Sequence, residues 1–364
     1  MKIFHCDHCQ QLVFFENVRC LSCAHALAYA PDVDDVLSLE AVSKAGPEGG
    51  QDGQERVWRS AKAGAEGKTY RLCANYDREN VCNWAIPVED AETLCGSCRL
   101  TRVIPDLTQP GHKEAWYRLE VAKRRLVYSL LRLKLPLANK TAEPERGVAF
   151  ELLADGAQPV MTGHSDGVIT ISVAEADDAE REQRRLQLHE PYRTLLGHFR
   201  HEIGHYYWDR LLAGSDRLDA FRALFGDERA DYAAALQRHY EQGAPPDWQE
   251  RFISAYASTH PWEDWAETWA HYLHMSDTLE TAAACGLTLR PRRPDEPSLK
   301  TTPAQERPLG PFEQKIEAWF PLTYVLNSLN RGLGLADGYP FVLSTPVIDK
   351  LRFVHETIAA VAGA

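Results

Sequence analysis

Apolar residues recur at three- and four-residue intervals along much of the chain, and at two-residue intervals in one short stretch. Trp116, Leu119, Ala122, Leu126, Leu130 and Leu133 predict an amphipathic helix over 112–133 that Pro136 terminates. Lys123, Arg124 and Arg125 are expected on its solvated face, where they form the best basic candidate for an anionic contact. Leu195, Leu196, Phe199 and Ile203 make a second apolar belt, which predicts a central, largely buried helix with Pro191 in its first turn. Two more helices, over 215–225 and 227–242, are separated by Gly226 and carry no chemical signal. Ile169, Ile171 and Val173 alternate with Thr170 and Ser172, the period of a half-buried strand. Phe320, Tyr324, Leu326 and Leu329, then a final helix to Ala359, read as packed helical structure. Asn327, Asn330 and Arg331 are expected to cap and hydrogen-bond within it rather than line a cleft.

Glycine and proline punctuate the rest. Segments 46–53 and 290–311 read as mobile or extended loops, and 139–146 as a polar linker. With 364 residues there is room for two domains, and a formal net charge of -12 argues against nucleic acid as the main partner. No apolar run is long enough for a membrane span, and no apolar leader precedes the first cysteines, so the expected location is the cytoplasm.

In a reducing compartment the cysteine spacing reads as metal binding. Cys6-x-x-Cys9 and Cys20-x-x-Cys23 are two knuckles whose four thiolates can close a tetrahedral zinc site. Cys73, Cys82, Cys95 and Cys98 supply a second set of four, although only the last two form a knuckle and interleaved pairing stays open. Closed thiolate sites have no free position for chemistry, so both read as structural. His5, His8 and His25 beside the knuckles are expected to be solvated or to support the ligands, and Cys285 to be a buried, inert thiol.

The catalytic signal lies elsewhere. His201-Glu202-x-x-His205 puts two imidazoles one helical turn apart on one face, with a carboxylate about 100° round from the first. One zinc can meet both rings while Glu202 faces a water. His198, one turn earlier, is expected to support the site or pack against it. A third ligand is needed, and Glu263, Glu267 and His271 are spaced by four along one helical stripe flanked by Trp262, Trp265 and Trp269.

The HExxH run followed by Glu263-Asp264-Trp265-Ala266-Glu267 resembles the gluzincin pattern of the anthrax lethal factor protease domain, in which the first glutamate of E-x-x-A-E is the third ligand. A tyrosine seven residues before that glutamate assists the oxyanion there, and Tyr256 stands at the matching position. Cys82-Asn83-Trp84, His201-Glu202-Ile203-Gly204-His205-Tyr206-Tyr207-Trp208, Pro261-Trp262-Glu263-Asp264 and Asn327-Ser328-Leu329-Asn330-Arg331 together resemble a bacterial family of zinc-binding metallopeptidases that carry a zinc ribbon. The resemblance spans nearly the whole chain. The long separation between His205 and Glu263 leaves Glu267 and His271 open as substitute ligands.

These observations predict an α+β protein. A Cys-rich zinc-ribbon module over 1–105 is followed by a connecting helix and linker over 106–146, then by a mainly helical zincin-like metallopeptidase domain with a small sheet over 147–364. The expected ions are one catalytic Zn2+ and two structural ones. Zinc on His201, His205 and Glu263 would activate water, with Glu202 as general base, Tyr256 at the oxyanion, and Glu267 and His271 supporting the ligands. The expected substrate is a peptide or protein, paired in extended form with the strand over 168–173, and the ribbon offers a surface for a protein partner. Two other classes remain as alternatives: a non-catalytic zinc-ribbon adaptor, which the intact Glu202 and ligand set count against, and a zinc amidase acting on a non-peptide amide.

Overall fold

Short strands and tight turns dominate the first hundred residues because the cysteine knuckles fix the chain before it can build a large core. The computed structural model describes residues 1–42, 56–187, 194–301 and 309–363. The predicted loop over 46–53 and Pro191 lie outside the described residues, as does part of the loop over 290–311. Strands β1 (Phe4–His5) and β2 (Leu12–Val13) form a hairpin around the first knuckle. β3 (Ala26–Ala30), β4 (Asp35–Ala41), β5 (Trp58–Arg59), β6 (Tyr70–Leu72) and β7 (Ala85–Pro87) follow as an antiparallel sheet in sequential order, with a one-turn helix α1 (Ala74–Asp77) before β7. A parallel bridge between Tyr29 and Trp84 draws the two edges of that sheet together.

β8 (Thr101–Val103) leaves this module and joins a different sheet. Its partner is β9 (Ala149–Leu153), so the four-stranded order is β10 (Gly163–Ser165), β11 (Val168–Ser172), β9, β8, parallel except for β10. The alternating stretch is thus β11, and both of its edges are paired. It cannot take a substrate backbone as expected; the open edge beside the helices belongs to β10.

Helix α2 (His112–Arg132) runs between the modules. Tyr128 packs against Phe4, Phe15 and Tyr29 on one side, while Lys123 lies over the Phe150 ring of β9 on the other. The expectation of a solvated basic face is corrected here: Lys123 and Arg124 are buried, and Arg125 reaches Glu16 of the ribbon. Lys123 pairs with buried Glu120 at 2.8 Å, and Arg124 donates to the Val81 carbonyl. Protein packed on both flanks of the helix leaves Lys123 and Arg124 no water, so these two find partners inside. The segment 139–146 is pinned as well, by the Glu143–Arg210 ion pair and by the Tyr206 hydroxyl donating to the Arg146 carbonyl.

The remaining chain is helical: α3 (Asp178–Gln187), α4 (Leu195–Leu211), α5 (Leu218–Phe225), α6 (Tyr232–Gln242) and α7 (Pro261–Ala284). Then come a small hairpin of β12 (Thr288–Leu289) and β13 (Leu299–Lys300), α8 (Phe312–Gly332) and α9 (Thr345–Ala362). The hairpin corrects the loop reading over 290–311, part of which pairs in β13. Asn327 exchanges two hydrogen bonds with the Tyr339 backbone and Arg331 forks onto Asp337, so they tie α8 to the loop that follows it. Cys285 is exposed, not buried, because it caps α7 where the helix runs out into solvent before Gly286 turns left-handed at φ +64°. Among the described residues no helix is long and apolar enough to cross a membrane.

Candidate functional site

Helices α4 and α7 carry the catalytic candidates, and small residues let them meet. The Thr194 hydroxyl caps α4 by accepting from Gly197 N at 3.0 Å, while His260 caps α7 ahead of Pro261 in its first turn. Gly204 sits against Ala266, and the Trp265 indole N–H donates to the Gly204 carbonyl at 2.8 Å. This crossing faces the stripe of His201 and His205 towards that of Glu263 and Glu267.

His201 Nε2 lies 3.1 Å from His205 Nε2 and 2.9 Å from Glu263 Oε2, which is 3.5 Å from His205 Nε2. A tetrahedral zinc with nitrogen and oxygen ligands at about 2.0–2.1 Å sets its ligand atoms about 3.3 Å apart, in the middle of this range. Glu263 is almost fully buried and its Oε2 has no hydrogen bond, while its Oε1 accepts from the Tyr232 hydroxyl at 2.7 Å. One carboxylate oxygen is therefore held and the other is presented to the two imidazoles. These residues fit a metal ion as a three-ligand set.

His201 Nδ1 meets Glu267 Oε1 at 2.7 Å, and Ser254 donates to Glu267 Oε2 at 2.6 Å. Burial works against the charged Glu267, but the His201 bond and charge outweigh it and bring the carboxyl down to about 2. Burial pushes the Glu202 carboxyl up, opposed by the charges of His201 and His205. Tyr256, in the 3-10 turn Tyr256–Ser258, stacks obliquely near His201 with centroids 5.9 Å apart. Burial and then the Glu263 charge raise its phenol far above the ordinary range, so it remains a donor.

The eight N-terminal cysteines gather as Cys6, Cys9, Cys20, Cys23 and as Cys73, Cys82, Cys95, Cys98, with no interleaving. Cys6–Cys23 and Cys9–Cys20 sulfurs are 3.6 Å apart and Cys82–Cys95 sulfurs 3.7 Å. Disulfides need about 2.05 Å, whereas four thiolates around zinc at about 2.3 Å lie about 3.8 Å apart. Burial and then its three neighbouring thiols raise Cys95 well above the usual thiol range. Such a cluster ionises together only around a cation.

A family model described as "Putative zinc-binding metallo-peptidase" matches residues 112–357, and a zinc-ribbon domain model matches residues 3–109. The chain belongs to this metallopeptidase family. The uncharacterized proteins Rv2568c of Mycobacterium tuberculosis and Mb2598c of Mycobacterium bovis are each 44% identical over 365 residues, covering 100% of this chain and 96% of the relative. No solved structure matches the chain.

Several further residues neighbour this candidate metal centre, most of them without a sequence signal. Tyr232 and His239 come from α6, which looked chemically silent: Tyr232 holds Glu263, and His239 meets the Tyr256 ring at 5.9 Å. His164 of β10 stacks towards His205 at 6.3 Å, and Trp262 covers His205 at 3.8 Å between centroids. Trp262 lies within the flanking tryptophans, whereas Tyr232 and His164 are brought in by tertiary packing alone. Two predicted supporters have partners of their own. His198 faces Glu175 at 3.1 Å, and His271 bonds the Tyr339 hydroxyl at 2.8 Å, one turn beyond Glu267.

Proposed function

We propose that this chain is a gluzincin-type zinc metallopeptidase that hydrolyses peptide bonds. The convergence of His201 Nε2, His205 Nε2 and Glu263 Oε2, with Glu202 between the two histidines in sequence, carries the reading. His201, His205 and Glu263 would hold a zinc ion, which when bound would supply Lewis acidity to a substrate carbonyl and to water. Glu202, raised by burial, accepts the proton of the attacking water and delivers it to the departing amine. Glu267 fixes the His201 tautomer so that Nε2 points inward. The Tyr256 phenol, kept protonated, donates to the developing oxyanion.

The free edge of β10 next to α4 supports an extended peptide as the substrate, because its outward backbone groups can pair with a second chain. In this reading the ribbon module over 1–105 holds two structural zincs, 106–146 connects, and 147–364 forms the peptidase domain. The ribbon also offers a surface to a protein partner. Free cysteines gathered as metal ligands fit a reducing cytoplasm.

Incubation with a diverse peptide library, read by mass spectrometry, tests the proposal. Cleavage by the wild type and none by Glu202→Gln, with equal zinc content, is the expected result. Wild-type protein that cuts no peptide would sink the proposal: cleavage of small amides would then favour the amidase, and inertness towards both the adaptor. Equal cleavage by the Glu202 variant would sink the mechanism.

A further inference from the structure

One side-chain cluster outside these sites has metal-ligand character. His8 sits inside the first cysteine knuckle and His25 just after the second, and their rings stack with centroids 3.8 Å apart and planes 27° from parallel. Glu40 of β4 joins them, and one ligand atom from each of the three lies within 4.8 Å of the others. His8 and Glu40 are exposed and His25 is half-buried, so the cluster opens to solvent.

The arrangement is built rather than incidental. Asp7 accepts from the Ser38 backbone at 2.6 Å and from the Ser60 hydroxyl at 2.9 Å, which clamps the first knuckle onto β4. Glu40 stands two residues beyond Ser38, on the same face of the strand, beside His8. Ala24, at φ +64°, turns the chain after Cys23 and brings His25 over His8. Glu40 keeps one oxygen, Oε2, on Arg59 at 3.3 Å in an exposed pair. His25 Nδ1 is buried with no hydrogen-bond partner.

We infer that His8, His25 and Glu40 form a further metal site on the outer face of the ribbon, taking an exchangeable divalent transition ion such as Zn2+ or Ni2+. Two imidazoles and a carboxylate select ions of that class over Ca2+ and Mg2+, which prefer all-oxygen shells. Electrostatics favour a second cation at this place. Zinc with four thiolates carries a net charge of about -2, so the neighbouring knuckle site attracts positive charge. Three protein ligands leave at least one coordination position facing water, unlike the closed thiolate sites. The ion there can exchange, or accept a last ligand from another molecule.

The test uses tag-free full-length protein carrying its own metals, titrated with Ni2+ by calorimetry, with bound zinc measured before and after. The wild type is expected to take up one more equivalent of Ni2+ than the His8→Ala, His25→Ala double variant, at unchanged zinc content. Glu40→Gln, a single exposed change, is expected to weaken that equivalent by roughly tenfold or more. Superimposable titrations of wild type and double variant would overturn the inference. So would loss of a zinc from the double variant, because the histidines would then be supporting the thiolate site.

Discussion

Gly204 lies against Ala266 so closely that a Cβ built on the glycine would stand 3.0 Å from the Ala266 Cα and 3.2 Å from the Trp269 Cβ. The neighbouring atoms are backbone or rigid side-chain stem, which cannot swing away. Gly204→Ala gains about 1 kcal/mol in helix propensity and loses about 1–3 kcal/mol by overpacking. Spreading the helices also pulls Glu263 from the two imidazoles. The expected outcome is a net stability loss of up to about 2 kcal/mol, with faster zinc loss to a competing chelator; thermal unfolding and metal analysis check it.

Tyr232 and Tyr256 differ in what they touch, and their variants are expected to separate. Tyr232→Phe frees Glu263 Oε1 and is expected to weaken the metal by about 10–100-fold, seen by chelator competition. Under the proposed mechanism Tyr256→Phe removes an oxyanion donor and is expected to lower kcat by about 10²–10³ with zinc content and KM little changed. Equal effects of both on metal affinity would count against the separate roles.

His355 sits between α7, α8 and α9, where its Nδ1 meets the Tyr272 hydroxyl at 2.8 Å. Burial, and then the positive charge of Lys315, lower it to about 4 from an ordinary 6.5. The unfolded chain therefore binds a proton that the folded chain refuses between those values. Stability from this group is intact above pH 6.5 and declines as pH falls towards 4, by about 2 kcal/mol at pH 5. Urea denaturation at pH 7 and pH 5 should show that much less acid sensitivity in His355→Gln than in the wild type.

The buried Lys123–Glu120 pair ties α2 to strand β8, since Thr101 bonds both. Lys123→Met alone leaves Glu120 short of a cation and is expected to cost about 3–5 kcal/mol. Glu120→Leu with Lys123→Met is expected to recover most of that loss. Urea midpoints of the two variants give the comparison.

The candidate metal ligands are legible because their chemistry is local. HExxH spans one helical turn, and the second ligand helix announces itself through a four-residue spacing among tryptophans. The cysteine groups were legible as sets, though their division into two was not, because spacing leaves the pairing of Cys73 and Cys82 open. Helices α2, α4 and α9 followed from periodicity. Burial on a second face left no such trace: Lys123 and Arg124 read as solvated because charge pattern reports one helix, not the module docked on its far side. Strand order is equally long-range. The alternation in Val168–Ser172 gives a strand but cannot say which neighbours it has, and both edges of β11 are occupied, by β10 and β9. Tyr232 and His164 reach the centre through tertiary folding, which no spacing rule encodes.

β8 begins three residues after Cys98, the last ligand of the second thiolate cluster, and ends as the edge strand of the sheet beside the catalytic helices. If the proposed function holds, stripping a metal from Cys73, Cys82, Cys95 and Cys98 would loosen the anchor of β8, so a reagent that never reaches His201 would still disturb the sheet beside it. A clipped version lacking residues 1–105 loses a strand of that sheet as well as the ribbon.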